Sequence, residues 1–162
     1  MSVQPTKVLL QTTKGNIVIQ LRIDKPITSW NFRRLVEKGT YNNTIFHRVI
    51  ANFMIQGGDP TGTGYGDDSI PTIRDEIGRN NRNIRGTIAM AKTSEPDSAS
   101  SQFFINVVDN GRMPGFDATY SVFGEVVEGM DVVDSISKVA TNRANNDRPL
   151  QNVTIVKAQI LP

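Results

Sequence analysis

Apolar positions near the start of the chain first follow a strand period and then a helical one. Val8-Leu9-Leu10 is a short apolar cluster. After a turn at Lys14-Gly15, Ile17, Ile19, Leu21 and Ile23 alternate with Val18, Gln20 and Arg22. A period of two marks strands with one buried face, so this stretch predicts a hairpin. The period then lengthens. Thr28 or Ser29 is suited to cap a helix running to Lys38, with Gly39 as its stop. On that helix Phe32, Leu35 and Val36 share one face, while Trp30, Arg34 and Glu37 fall opposite, which predicts partial exposure for the only tryptophan. Further short strands are predicted over 45–49, 53–57, 87–91, 102–106 and 121–127, separated by glycine-rich and polar loops. A second helix over about 130–138 turns Val132, Val133 and Ile136 inward, and a strand over about 153–161 follows. Many short strands with two helices predict a mostly β fold. The expected form is a closed eight-stranded antiparallel β-barrel capped by two α-helices, an arrangement that leaves no sheet edge exposed.

Composition narrows the chemistry. A chain of 162 residues fits one domain, taken as residues 1–162, and buries a core without disulfides or metals. Cysteine is absent, which excludes disulfides, a thiolate nucleophile and thiolate metal sites. The single histidine, His47, excludes a histidine-rich metal cluster, so no metal and no cofactor is expected. Net charge is +2 and no block of like charges occurs, so nothing points to nucleic acid. Arg74, Arg79, Arg82 and Arg85 are interspersed with Asp75 and Glu76 and lack the aromatic residues that stack on bases. No apolar run is long enough for a membrane span. The stretch from Met1 to Gln11 holds no secretory h-region, and the chain is expected to be a cytoplasmic monomer.

Familiar catalytic templates do not fit. A serine triad would need His47 as its base, yet a strand would point His47 away from the side of Phe46 and Arg48. Gly57-Gly58 and Gly62-Thr63-Gly64-Tyr65-Gly66 lack the Lys-Ser/Thr ending of a phosphate loop, and no clear helix follows them. They read as a flexible surface loop.

The densest segment is Phe46-His47-Arg48-Val49-Ile50-Ala51-Asn52-Phe53-Met54-Ile55-Gln56-Gly57-Gly58-Asp59. It resembles the signature of the cyclophilins. Asn31-Phe32, Met90-Ala91, Ser101-Gln102-Phe103-Phe104-Ile105 and Val122-Phe123-Gly124 are similar to the family's other landmarks, in the same order. The resemblance spans about residues 7–161 and implies a peptidyl-prolyl cis-trans isomerase acting on proline-containing polypeptides and assisting their folding.

Such chemistry needs neither nucleophile nor metal. Resonance in the peptide C–N bond opposes rotation with a barrier of about 18–20 kcal/mol. Before proline both isomers are populated and exchange takes tens to hundreds of seconds. In the twisted transition state the prolyl nitrogen regains a lone pair, and a donor aimed at it favours that state over both planar ones. Arg48, always charged and carrying several directed N–H groups, is the candidate donor. Gln56, the second catalytic candidate, would hold the substrate carbonyl or orient Arg48. The resemblance makes Phe53, Met54 and Phe104 walls for the proline ring. Strand alternation puts Met54 with Gln56, and Gln102 with Phe104, on shared faces. Ala91 would pair its backbone with the substrate as an added strand. His47 reads as a structural, hydrogen-bonded residue, because bond rotation moves no proton. The alternative is a binding module for proline segments, a chaperone or scaffold with incidental turnover.

The pattern departs from many family members where they carry Trp-Leu-Asp-Gly-Lys-His. Here the stretch is Gly115-Phe116-Asp117-Ala118-Thr119-Tyr120. Phe116 would line the pocket in place of leucine, and Tyr120 replaces histidine. The family tryptophan tied to cyclosporin binding has no counterpart, so weak cyclosporin binding is expected. Lys92 stands where asparagine is common, at a position expected to act through its backbone.

Overall fold

A computed structural model describes residues 5–162, so the first four residues of the stretch read for a leader lie outside the described part. In chain order the elements are β1 (Lys7–Thr12), β2 (Gly15–Leu21), α1 (Pro26–Glu37), β3 (Thr44–Ile45), β4 (Arg48–Ile50), β5 (Met54–Gly57), β6 (Thr87–Met90), β7 (Phe103–Asn106), α2 (Phe116–Thr119), β8 (Val122–Glu128), α3 (Met130–Ser137), β9 (Thr141–Asn142), β10 (Arg148–Pro149) and β11 (Thr154–Ile160). The hairpin expected from the alternating pattern pairs Val8 with Ile19 and Leu10 with Ile17, all fully buried. Ile23 does not continue it. Strand β2 ends at Leu21, the Arg22 N–H donates to the Phe123 carbonyl at 2.7 Å, and Ile23 is exposed.

Nine strands form one antiparallel sheet in the order β3-β11-β1-β2-β8-β6-β7-β5-β4. The single strand expected over 45–49 is broken in two, which makes nine strands rather than eight. Its halves are the two end strands of the sheet. The sheet therefore curls until Phe46 and His47 join its ends covalently, and no hydrogen-bonded ladder closes the barrel. The separate pair β9–β10 lies outside it.

Two helices, α1 and α3, pack on the sheet, and the four-residue α2 is a third that the sequence pattern does not predict. On α1, Phe32 reaches Tyr41, Phe123 and Phe103 at ring centroid distances of 5.0, 5.0 and 5.6 Å. Trp30 is 61% exposed, with the Arg34 guanidinium 5.1 Å from its ring centre. Neither Thr28 nor Ser29 caps the helix. It starts one turn earlier with Pro26, whose missing N–H costs nothing there. The free donors of the first turn go instead to Glu76, whose carboxylate accepts from Ile27 N at 3.2 Å and from both Thr28 N and Thr28 Oγ1 at 2.6 Å. No helix among the described residues is long and apolar enough to cross a membrane.

Candidate active site

Strand register builds the site. Strands β4 and β5 pair Arg48 with Gln56 and Ile50 with Met54. Strand β7 then sets Phe104 opposite Gln56, and β6 sets Ala89 opposite Phe104 and beside Val122 of β8. Residues directly opposite share a face, so Arg48, Gln56, Phe104, Ala89 and Val122 form one row across the outside of the curled sheet. Met54, Ala89, Phe104 and Val122 make a small buried cluster there, distinct from the inner core. A pocket of about 150 Å³ opens on this cluster, lined by Arg48, Phe53, Met54, Gln56, Ala91, Lys92, Phe104, Phe116 and Tyr120.

The walls are aromatic edges. Phe104 meets Phe116 at 5.8 Å and Tyr120 at 5.3 Å, both near edge-on, while Phe116 lies 6.1 Å from Phe53 and 4.7 Å from Tyr120. At the rim, half-buried Arg48 has no ion pair or side-chain hydrogen bond among the described residues. By contrast Arg22, Arg33 and Arg85 all have carboxylate partners. A cation, the Gln56 amide and a ring-sized apolar hollow fit a ligand that is half ring and half peptide backbone.

A family model described as cyclophilin-type peptidyl-prolyl cis-trans isomerase matches residues 7–160. The chain belongs to the cyclophilin family. It is 48% identical to a peptidyl-prolyl cis-trans isomerase of Acinetobacter baylyi over 160 residues, covering 96% of this chain and 85% of that protein. It is 46% identical to peptidyl-prolyl cis-trans isomerase B of Escherichia coli, covering 91% and 95% of the two chains. A crystal structure of a cyclophilin-type isomerase of Cryptosporidium parvum, 30% identical, superposes with a TM-score of 0.89 over 98% of this chain and 99% of that one. A second structure of that parasite enzyme, in the presence of the dipeptide Ala-Pro, gives a TM-score of 0.87 at 31% identity over 96% and 99%.

Four expected site residues, Gln102, Gln56, Ala91 and Lys92, sit differently from the sequence reading of this cyclophilin. Gln102 is the one expected residue not on the pocket wall. Its Oε1 accepts from Gln56 Nε2 at 3.1 Å and its Nε2 donates to the Gly64 carbonyl at 3.1 Å, so it ties Gln56 to a loop. Gln56 thus bonds Gln102 and not Arg48. Ala91 has already given its N–H to the Gln102 carbonyl at 3.0 Å, which leaves only its carbonyl for a substrate strand. Lys92 lines the pocket, while its ammonium pairs with Asp75 at 2.7 Å and its side chain is only 7% exposed.

His47 is buried, at 8% exposed, with one ring nitrogen, Nδ1, left without a hydrogen-bond partner. Burial pushes its pKa below the ordinary histidine value; Asp59 and a side-chain bond with Gln102 oppose this, and Arg148 and Arg48 reinforce it. The following loop is folded about a carboxylate. Buried Asp59 accepts from Thr61 N and Oγ1, Gly64 N and Gly66 N at 2.7–3.0 Å. Burial works to raise its pKa, and these bonds outweigh it and hold it below the ordinary carboxylate value. The preceding glycine is required: Gly58 has φ +87°, and a Cβ there would lie 2.7 Å from the Ser101 carbonyl.

Behind the cyclophilin pocket lies a set of buried asparagines. Asn81 Nδ2 donates to the carbonyls of Asp117 at 2.6 Å and Tyr120 at 2.7 Å. Its Oδ1 accepts from Lys25 Nζ and Val122 N, both at 2.8 Å. Asn110 holds the Phe53 carbonyl at 2.8 Å and Asn106 Oδ1 at 2.7 Å. Burial pulls the Lys25 pKa below the ordinary lysine value, with Arg22 adding repulsion, and its ammonium also bonds the carbonyls of Glu76 and Ile77. Sequence reasoning missed these residues because asparagine-rich stretches read as turns. The density of asparagine over residues 80–83 was the one available signal.

Proposed function

We propose that the chain accelerates rotation about Xaa-Pro bonds by holding the prolyl ring in the aromatic pocket and directing Arg48 at the prolyl nitrogen. Family membership supports the activity. The observation that carries the mechanism is the row in which an unpaired Arg48 stands across Gln56 from Phe104 in the pocket wall. Bringing tens of seconds down to milliseconds is about a 10⁴-fold effect, or roughly 5–6 kcal/mol. A charged hydrogen bond made only in the twisted state, with a desolvated and oriented ring, is of that order. Proline-containing polypeptides are the proposed substrates, the chain working as a cytoplasmic monomer without metal or cofactor.

Replacing Arg48 tests the mechanism. Arg48→Ala should lower kcat and kcat/KM together by roughly 30- to 1000-fold, with peptide affinity nearly unchanged. Arg48→Lys should recover only part of this, since an ammonium cannot reproduce directed guanidinium donors. Exchange spectroscopy on a bound Xaa-Pro peptide, with circular dichroism for folding, reads both. A folded Arg48→Ala protein turning over at the wild-type rate would leave a proline-binding module as the better reading. Cyclosporin should bind weakly, because Tyr120 and Phe116 replace wall residues and no indole N–H is present at the rim. Nanomolar affinity in calorimetry would contradict that.

A further inference from the structure

A second hollow of about 170 Å³ lies on the other side of Arg48 and Gln56, which line both pockets. Its further lining includes His47, Gly64, Asn146 and Arg148. Arg148 is half-buried, like Arg48, and its only side-chain hydrogen bond is from Nη1 to the Gly62 carbonyl at 2.8 Å. Neither arginine has an ion pair among the described residues, and no carboxylate lines the hollow. The nearby acid Asp59 is fully buried and already engaged by Thr61, Gly64 and Gly66. Two arginines therefore line an open polar hollow that has no carboxylate in its lining.

We propose that this hollow is a specificity subsite that takes an acidic side chain of the substrate, close in sequence to the isomerising proline. The inference rests on the isomerase reading above. Guanidinium groups suit a carboxylate because they offer paired, directed N–H donors. The wall shared with the proline pocket, and a rise of about 3.3 Å per extended residue, set the acidic residue within two positions of the proline. Arg148 is the specificity-determining residue, since Arg48 serves both hollows.

The test is a peptide series with Glu, Gln or Lys at each of the two positions on either side of proline. It is assayed as kcat/KM on the full chain at about 0.02 and 0.5 M salt. At one position Glu should exceed its Gln counterpart by about 3- to 10-fold at low salt, and the advantage should vanish at high salt. Arg148→Gln should bring the Glu-to-Gln ratio to about one. Because Arg148 also holds the loop at Gly62, Asn146→Asp gives a second measure. Asn146 is exposed with φ +52°, a conformation Asp accepts, and the added carboxylate should turn the preference towards Lys. Turnover with no charge preference at any position, or a preference indifferent to both substitutions, overturns the subsite and leaves the isomerase intact. No turnover of any peptide overturns the isomerase reading and the subsite with it.

Discussion

Phe103 and Phe104 are neighbours on one strand and belong to different hydrophobic clusters. Phe103 points inward, is 0% exposed, and meets Phe32, Tyr41 and Phe46. Phe104 points outward and, at 4% exposed, is nearly as buried, yet its partners Phe116 and Tyr120 are only partly covered. The inner cluster lies under α1 and α3, while the outer one is roofed by a four-residue helix and an open pocket. One pleated register thus serves both: Phe103 and Ile105 of β7 enter the inner core, while Phe104 on the other face lines the pocket. A hydrophobic side chain is a fold residue or a site residue according to what closes over it.

Replacing each phenylalanine in turn separates the clusters most sharply. Phe103→Ala should cost about 3–5 kcal/mol in urea unfolding, because the close-packed interior cannot refill the space. Phe104→Ala should cost less, about 1–2 kcal/mol, since the vacated volume merges with a solvent-filled pocket. It should instead weaken peptide binding by at least about tenfold. Equal destabilisation by both, with peptide affinity intact in Phe104→Ala, would mean that the outer cluster is merely a second piece of core.

That division was legible in the sequence wherever a period carried it. Alternation put Met54 with Gln56 and Gln102 with Phe104, and the helical period put Phe32, Leu35 and Val36 inward with Trp30 outside. Contacts with no period behind them were not legible. Glu76 caps a helix 48 residues earlier in the chain, and Lys25 is buried on carbonyls 51 and 52 residues away. The break at Phe46-His47 was hidden because its flanks both read as strand. The short α2 was hidden because four residues cannot display a helical period, although they supply Phe116. Pairing of Lys92 with Asp75 likewise depends on how two loops meet.

Asn81 joins the two regions, and its removal should have the next largest effect. On one side it accepts from Lys25 at the start of α1, and on the other it holds the carbonyls of Asp117 and Tyr120 in the pocket wall. Asn81→Ala would leave the Val122 N–H and two carbonyls without this partner, at a cost of about 1–3 kcal/mol. The loosened wall should raise KM more than it lowers kcat, because Arg48 stands on the far side of the pocket. Thermal melts and steady-state kinetics read the two effects. Lost stability with unchanged KM would show that the wall is held without Asn81, and the two regions would then be energetically separate.

The smallest effect belongs to the junction itself, where Phe46 points into the core, Arg48 lines the pocket, and His47 is buried between them. Burial lowers the His47 pKa in the folded chain, with Arg148 and Arg48 adding to the shift against Asp59 and the side-chain bond with Gln102. A proton therefore binds the unfolded chain more readily than the folded one. Above about pH 6.5, the ordinary histidine value, neither state is protonated and stability does not depend on this group. As pH falls below that value the unfolded state gains its proton first. Stability then declines by up to about 1.4 kcal/mol per pH unit until the folded pKa is passed. His47 is the only histidine, and carboxylates titrate near pH 4, so the window from about 6.5 to 5 is its own. The melting temperature of the wild type should drop across that window, while that of His47→Gln should stay level. A wild-type melting temperature flat from pH 6.5 to 5 would mean that the imidazole is reached by water at the junction, and that inner core and outer pocket are less cleanly divided there than the buried Nδ1 implies.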